Sequence, residues 1–277
     1  MSAAYLRFGE QRLELARPRV MGILNVTPDS FSDGGKFFDR EQALDHARRM
    51  VADGADIIDI GGESTRPGAL PVREDVELER VIPLVEALAR EGMRVSVDTV
   101  KPAVMRAALT AGADMINDVR ALREPGAIDA VAAGQAAVCL MHMQGEPRTM
   151  QAEPHYDDVV KDVRDFLVER ALACEAAGIA RDRIVIDPGF GFGKTVAHNL
   201  ALLRSLDVFK ATGYPVMAGI SRKSMLGGIA GRDVKERGAA SIAAALAAVT
   251  RGASIVRVHD VRETVDALKV WQAIETG

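Results

Sequence analysis

Short β-rich runs alternate with longer helical patterns along nearly the whole chain, and this alternation leaves few architectures open. Strand-type runs occur at 20–24, 57–60, 94–97, 115–117, 137–141, 184–186, 215–218 and 255–258. Between them, apolar residues recur three and four apart at 41–52, 76–91, 103–111, 159–177, 239–250 and 261–274. A shorter helical pattern lies at 197–206 and the weakest at 127–133. Gly54, Gly92, Gly112, Gly178 and Gly252 follow helical runs, where glycine accepts the left-handed conformation of a helix end. Eight strand–helix units in about 250 residues predict an α/β fold, a (β/α)8 barrel of the TIM type. An open doubly wound sheet is the main rival. The segment 4–15 reads as a short N-terminal β-hairpin, LRF-GEQR-LEL, that plugs the bottom of the barrel. No linker or composition shift interrupts the pattern, so one domain over residues 1–277 is expected.

Two strands run into long polar loops. The first is MGILNVTPDSFSDGGKF, residues 21–37, and the second is DIIDIGGESTRPGA, residues 56–69. Compact domains rarely keep structureless loops of that length without a function, which points to an enzyme with loops over its active site. A polar residue closes every strand: Asn25, Asp59, Asp98, Asn117 with Asp118, His142, Asp187, Ser221 with Lys223, and Arg257 with His259. Polar groups are costly inside an apolar barrel, so these are expected to ring its carboxyl-end face.

The residue types in that ring define a chemistry. Asp98, Asn117 and Asp187 supply directional acceptors and an amide, which suit a flat heterocycle rich in N–H groups. The bland alternative is that Asp98 and Asp187 only cap the turns that follow them. Arg66, Arg222, Lys223, Arg257 and His259 are the cationic counterpart. A guanidinium fork matches phosphate oxygens, and residues 257 and 259 share one side of a strand. The motif GFGFGKT at 189–195 is no nucleotide-hydrolase loop, because only three residues separate Gly189 from Gly193. It reads as a tight glycine loop that brings backbone and Phe192 to a planar ligand, although packing alone accounts for Phe192 equally well. His46, His155 and His198 lack a second ligand at metal spacing, so no zinc site is expected. The weak metal signal is Asn25, whose amide oxygen could hold Mg2+ alongside substrate phosphates.

Composition excludes other classes. The net charge is −4, so no general attraction to nucleic acid is expected. No apolar run approaches the roughly 20 residues that span a bilayer, so no membrane association is expected. The two cysteines, Cys139 and Cys174, read as buried structural thiols of a cytoplasmic protein.

The phrases NVTPDSFSDGG, GGESTRPGA, SVDT, INDV, DPGFGFGK, GISRKSMLG and RVHDV occur in order, one per strand end. Together they closely resemble the dihydropteroate synthase family of folate biosynthesis, from residue 20 to the end of the chain. The resemblance implies a homodimeric barrel transferase that condenses 6-hydroxymethyl-7,8-dihydropterin diphosphate with para-aminobenzoate. It implies Asp98, Asn117, Asp187 and Lys223 as pterin partners and Asn25 as the Mg2+ ligand. Thr65, Arg257 and His259 would meet the diphosphate. Phe31, Arg66, Pro67 and Ser224 would form the aminobenzoate region, where sulfonamides bind in this family. Asp33, in the first loop, is the candidate that helps shield a developing cation. Three alternatives stay open on sequence alone: a pterin-binding methyltransferase domain, a non-catalytic pterin-binding paralogue and a Lys223 Schiff-base aldolase. The Ala-rich helix at 239–250 and the helix around Trp271 offer dimer faces, and packing on the barrel explains them equally well.

Overall fold

The computed structural model describes residues 5–26, 36–64, 69–146 and 149–276. After a two-stranded hairpin, β1 (Tyr5–Phe8) and β2 (Gln11–Glu14), come eight parallel strands. They are β3 (Arg19–Asn25), β4 (Ile57–Gly61), β5 (Val95–Asp98), β6 (Met115–Asp118), β7 (Ala137–Met141), β8 (Ile184–Asp187), β9 (Met217–Ala218) and β10 (Ile255–Val258). Their order around the sheet is β8-β7-β6-β5-β4-β3-β10-β9. The seam between β8 and β9 is spanned by an isolated parallel bridge, Ile186 to Val216, and by Ile186 N–H donating to Pro215 O at 3.0 Å. The result is the expected barrel, with helices outside. β9 falls two residues short of its 215–218 pattern: Pro215 has no N–H to give a ladder, and Val216 makes an isolated bridge outside the strand.

Helices follow the strands: α1 (Lys36–Ala52), α2 (Glu74–Arg90), α3 (Pro102–Thr110), α4 (Ala127–Ala132), α5 (Val159–Ala176), α6 (Val196–Arg204), α7 (Leu206–Lys210), α8 (Ser224–Ala230), α9 (Gly238–Thr250) and α10 (Val261–Thr276). The pattern at 197–206 divides at Ser205 into α6 and α7. The short α8 was not foreseen, because Gly227 and Gly228 weaken its helical signal. His198, unassigned from sequence, closes a capping box with Thr195 at the start of α6.

Each strand contributes to two cores because its side chains alternate. Outward residues such as Val20, Ile58, Ile60, Val97 and Ile116 pack under the helices. Inward residues Met21, Ile57, Met115, Ala137, Cys139, Val185, Met217 and Ile255 fill the lower barrel together with Leu6, Phe8 and Leu13 of the hairpin. Both faces are therefore apolar for most of each strand, which is why the strands read as continuous runs rather than as alternations. The hairpin turn is Gly9–Glu10, two residues shorter than the expected GEQR, and Gly9 takes a φ of +59° that suits such a turn. Gly9 N–H donates to Gln135 O at 2.9 Å and Arg7 pairs with Asp182 at 2.9 Å, so the hairpin is tied below β7 and β8. Cys139 and Cys174 are buried free thiols, as expected.

Phe8 is 4% exposed and seals the end of the barrel remote from the polar ring. Phe8→Ala should lower stability by about 3–5 kcal/mol, the usual cost of emptying a packed aromatic site. Urea unfolding would measure it. Turnover well below the melting temperature should stay near that of the parent.

Candidate active site

Above the apolar filling, the inward positions turn polar within one register step. Ile23, Asp59 and Ser96 are neighbours across β3, β4 and β5, and Asp98 lies beside Asn117 one step higher. Asn25 and Gly61 pair at the ends of β3 and β4. Parallel strands put all of these at one mouth.

Arg257 organises the ring. Its Nε donates to Asp59 Oδ2 at 2.6 Å and its Nη2 to Asp98 Oδ2 at 2.9 Å. Asn117 Nδ2 donates to the same Asp59 oxygen at 3.0 Å. That contact commits the amide group of Asn117 to Asp59 and leaves its Oδ1 as the acceptor available to a ligand. Asp59 is fully buried and was given no specific role from sequence; its position two residues before Gly61 on the inward face was the signal. Asp187 lies across the barrel. Its Oδ1 accepts from Gly189 N–H at 2.7 Å, so the capping role anticipated as an alternative is real for one oxygen. The other oxygen faces Gly219, where an added Cβ would stand 3.7 Å away, and the glycine keeps that side open. A Gly219 side chain would also meet Arg257, so Asp187 and Arg257 flank one space.

Lys223 Nζ donates to Phe190 O and sits 4.1 Å from the centroid of the Phe192 ring. Phe192 packs against Val119, Met141, Met143 and Met150, which form an apolar wall beside the polar ring. His259 closes the arc, with its backbone N–H 3.2 Å and its Nδ1 3.1 Å from Ser221 Oγ. Ser224 is exposed at the start of α8.

Not every strand-end polar residue enters the mouth. Asp118 faces outward, and its carboxylate accepts from Arg120 N–H at 2.7 Å and Leu122 N–H at 2.8 Å. His142, next to inward-facing Met141, lies behind the glycine loop against Lys194. Arg222 turns away to Asp260. For Asp118 and His142 the cause is the two-residue period of a strand, which turns the neighbour of an inward side chain away from the mouth; Arg222 lies in the turn between β9 and α8. Phe31, Asp33, Thr65, Arg66 and Pro67 lie outside the described residues.

Burial shapes the acid–base chemistry. It pushes the Asp98 carboxyl up to about 7; Arg257 opposes the rise and Asp59 adds to it. It likewise raises Asp187, against the Gly189 hydrogen bond and the Lys223 and Arg257 charges. It lowers Lys223 to about 7, with Asp187 pulling the other way. For Arg257, burial lowers the pKa but Asp59 and Asp98 outweigh it, so the guanidinium stays charged. A carboxylate and an ammonium poised near neutrality in one cleft are a signature of a functional site.

Among the described residues no group of three His, Cys, Asp or Glu is placed to hold a metal ion. Asn25 fits the more modest role. Its Oδ1 lies beside Gly61, where an added Cβ would come within 3.5 Å. A single neutral oxygen suits Mg2+, which commonly keeps several waters and takes its remaining ligands from substrate phosphates. Among the described residues no helix is long and apolar enough to cross a membrane.

A barrel with this polar mouth is an enzyme scaffold for a flat, charged, nitrogen-rich ligand. The family model described as pterin binding enzyme matches residues 21–259. The dihydropteroate synthase of Haemophilus influenzae is 54% identical over 262 residues, covering 94% of this chain and 95% of that protein. Two solved structures superpose closely. The Burkholderia cenocepacia dihydropteroate synthase complexed with 7,8-dihydropteroate is 58% identical with a TM-score of 0.90, covering 99% of this chain and 98% of that one. The Xanthomonas albilineans dihydropteroate synthase with 4-aminobenzoic acid is 55% identical with a TM-score of 0.93, and the match covers both chains completely. The chain belongs to the pterin-binding enzyme family and, within it, to the dihydropteroate synthases.

Proposed function

We propose that this chain joins 6-hydroxymethyl-7,8-dihydropterin diphosphate to para-aminobenzoate, giving 7,8-dihydropteroate and diphosphate. The observation that carries the reading is the convergence of Asp98, Asn117, Asp187, Lys223 and Arg257 on one barrel mouth, in a chain that shares more than half its residues with dihydropteroate synthases.

Each group is given a task, from its geometry where the residue is described and from the family resemblance for residues 31, 33 and 65–67. The Asp187 oxygen beside Gly219, the Asn117 Oδ1 and the Asp98 carboxylate accept from the N–H groups of the pterin. Lys223, held by Phe190 O, donates to a ring acceptor. Phe192 and the methionine wall cover a face of the ring. Arg257 gives Nε and Nη2 to carboxylates and meets the diphosphate through Nη1; His259 and, by the family resemblance, Thr65 are further proposed contacts of the diphosphate. Asn25 would hold Mg2+, which when bound neutralises charge on the diphosphate oxygens. The bond between the pterin methylene and the diphosphate oxygen breaks, and its electron pair leaves with the diphosphate. Groups aimed at that developing charge supply much of the acceleration. Asp98 and Asp187 steady the positive charge spread over the electron-rich pterin, and Asp33 shields it. The aniline nitrogen then bonds to the methylene carbon and releases a proton. Phe31, Arg66, Pro67 and Ser224 orient that amine. We read the active form as a homodimer in the cytoplasm.

The direct test is a coupled assay of diphosphate release. Release should require the pterin diphosphate, para-aminobenzoate and Mg2+ together. Absence of aminobenzoate-dependent release would overturn the reading.

Asp98 and Lys223 also set a pH profile. Ligand binding needs Asp98 ionised, so it weakens as pH falls through about 7. It needs Lys223 protonated, so it weakens as pH rises through about 7. For the pterin diphosphate, kcat/KM should therefore be bell-shaped with its optimum near neutrality, because this parameter reports the free enzyme. Lys223→Arg should flatten the alkaline limb. A flat profile from pH 6 to 8 in the parent enzyme would refute both assignments.

A further inference from the structure

The GFGFGK segment holds a second lysine that the chemistry above does not use. Lys194 is 3% exposed, and no carboxylate is among its hydrogen-bond partners in the described residues. Its Nζ donates to Gly189 O at 2.9 Å, Phe192 O at 3.0 Å and His142 O at 3.3 Å, and lies 3.0 Å from His142 Nδ1. Carbonyl oxygens can only accept, so Lys194 is the donor in each of these contacts. Burial, with Lys194 adding to it, pushes His142 down to about 3, so its ring is neutral. Burial and the Lys223 charge lower the Lys194 pKa well below its ordinary value, with Asp187 opposing them, so what holds this side chain in place is its set of hydrogen bonds to the loop.

What Lys194 grips is the loop that carries the ligand-facing groups. Gly189 and Gly193 have positive φ, and an added Cβ would stand 1.9 Å from His142 O and 2.4 Å from Gln144 O. The loop therefore lies pressed against the residues after β7, with its carbonyls turned in two directions. Gly189 O and Phe192 O face Lys194 on the buried side. Phe190 O, between them, faces Lys223 on the open side. The Phe192 ring sits under the same Lys223 ammonium.

We infer that Lys194 is a positioning residue for the pterin site, acting through Lys223. It fixes the carbonyls on either side of Phe190 and so presents Phe190 O and the Phe192 ring to the Lys223 ammonium. This rests on the pterin reading above. Its own content is the coupling of two lysines that do not touch the ligand equally: Lys223 meets it, and Lys194 sets where Lys223 stands.

A double-mutant cycle tests it. The measurement is calorimetric titration with dihydropterin diphosphate, without aminobenzoate, on parent, Lys194→Met, Lys223→Ala and the double variant. Lys194→Met should weaken binding about tenfold in the parent background and by less than twofold in the Lys223→Ala background, since residues that act through one another are non-additive. KM for para-aminobenzoate should change by less than about twofold in Lys194→Met. Equal losses in both backgrounds would make Lys194 a general packing residue and overturn the inference. Should Lys194→Met fail to fold, Lys194→Gln, which keeps two donors for the carbonyls, enters the same cycle with the same deciding outcome. Failure of the pterin reading itself would look different, because the parent enzyme would then not bind the pterin diphosphate.

Discussion

Asp187→Asn should reduce kcat/KM for the pterin diphosphate by about 10²- to 10³-fold while leaving the fold intact. The replacement is nearly isosteric, and its amide oxygen can still accept from Gly189 N–H, as Asp187 Oδ1 does at 2.7 Å. What changes is the other atom, beside Gly219, where an acceptor becomes a donor. A pterin N–H directed there would meet an N–H. Hydrogen bonds to charged groups contribute roughly 1.5–3 kcal/mol each, and a mismatched buried donor adds a penalty of similar size. Steady-state kinetics with circular dichroism at matched temperature would separate the two effects. A kcat/KM within threefold of the parent would remove Asp187 from the site.

Arg257→Met should cost both stability and activity, and its stability cost should grow with pH. In the parent protein this one guanidinium faces Asp59 and Asp98, the first fully buried and the second 8% exposed. Removing one partner of a buried ion pair typically destabilises by about 3–5 kcal/mol, because the remaining charge is left unpaired. The sign of the pH effect follows from Asp98. Burial already holds its folded pKa at about 7, above its unfolded value, so the native state binds the extra proton. Loss of Arg257 raises that pKa further. The carboxyl is then neutral and tolerable at pH 5, and the deficit deepens as the pH rises towards 8. Urea unfolding at the two pH values would show it. Adding Asp59→Asn to the variant should recover part of the loss, since it removes one of the two stranded carboxylates. An equal deficit at both pH values would contradict the pairing.

Much of this molecule was legible in the chain. The barrel followed from period: eight apolar runs, each followed by a helical pattern and commonly a glycine, leave little else to build. The strands lie within one residue of their sequence limits, except β9, which begins two residues late, after Pro215. The polar strand ends were equally visible. The division of labour among them was not. Asn117 and Asp118 are adjacent and chemically alike in sequence, yet one enters the mouth and the other caps a turn. The hairpin turn reads two residues too long in the sequence, because Gln11 and Arg12 look like loop residues until their partners in β1 are known.

Local pattern and composition thus determined the architecture and the inventory of reactive groups, because periodicity and turn chemistry act between residues close in the chain. Pairing was decided only by the tertiary structure. Arg257 meets Asp59 across 198 residues, and Lys194 meets His142 across 52. Hydrogen bonding and charge burial depend on distance in space, and barrel closure is what brings such groups within 3 Å or so of each other.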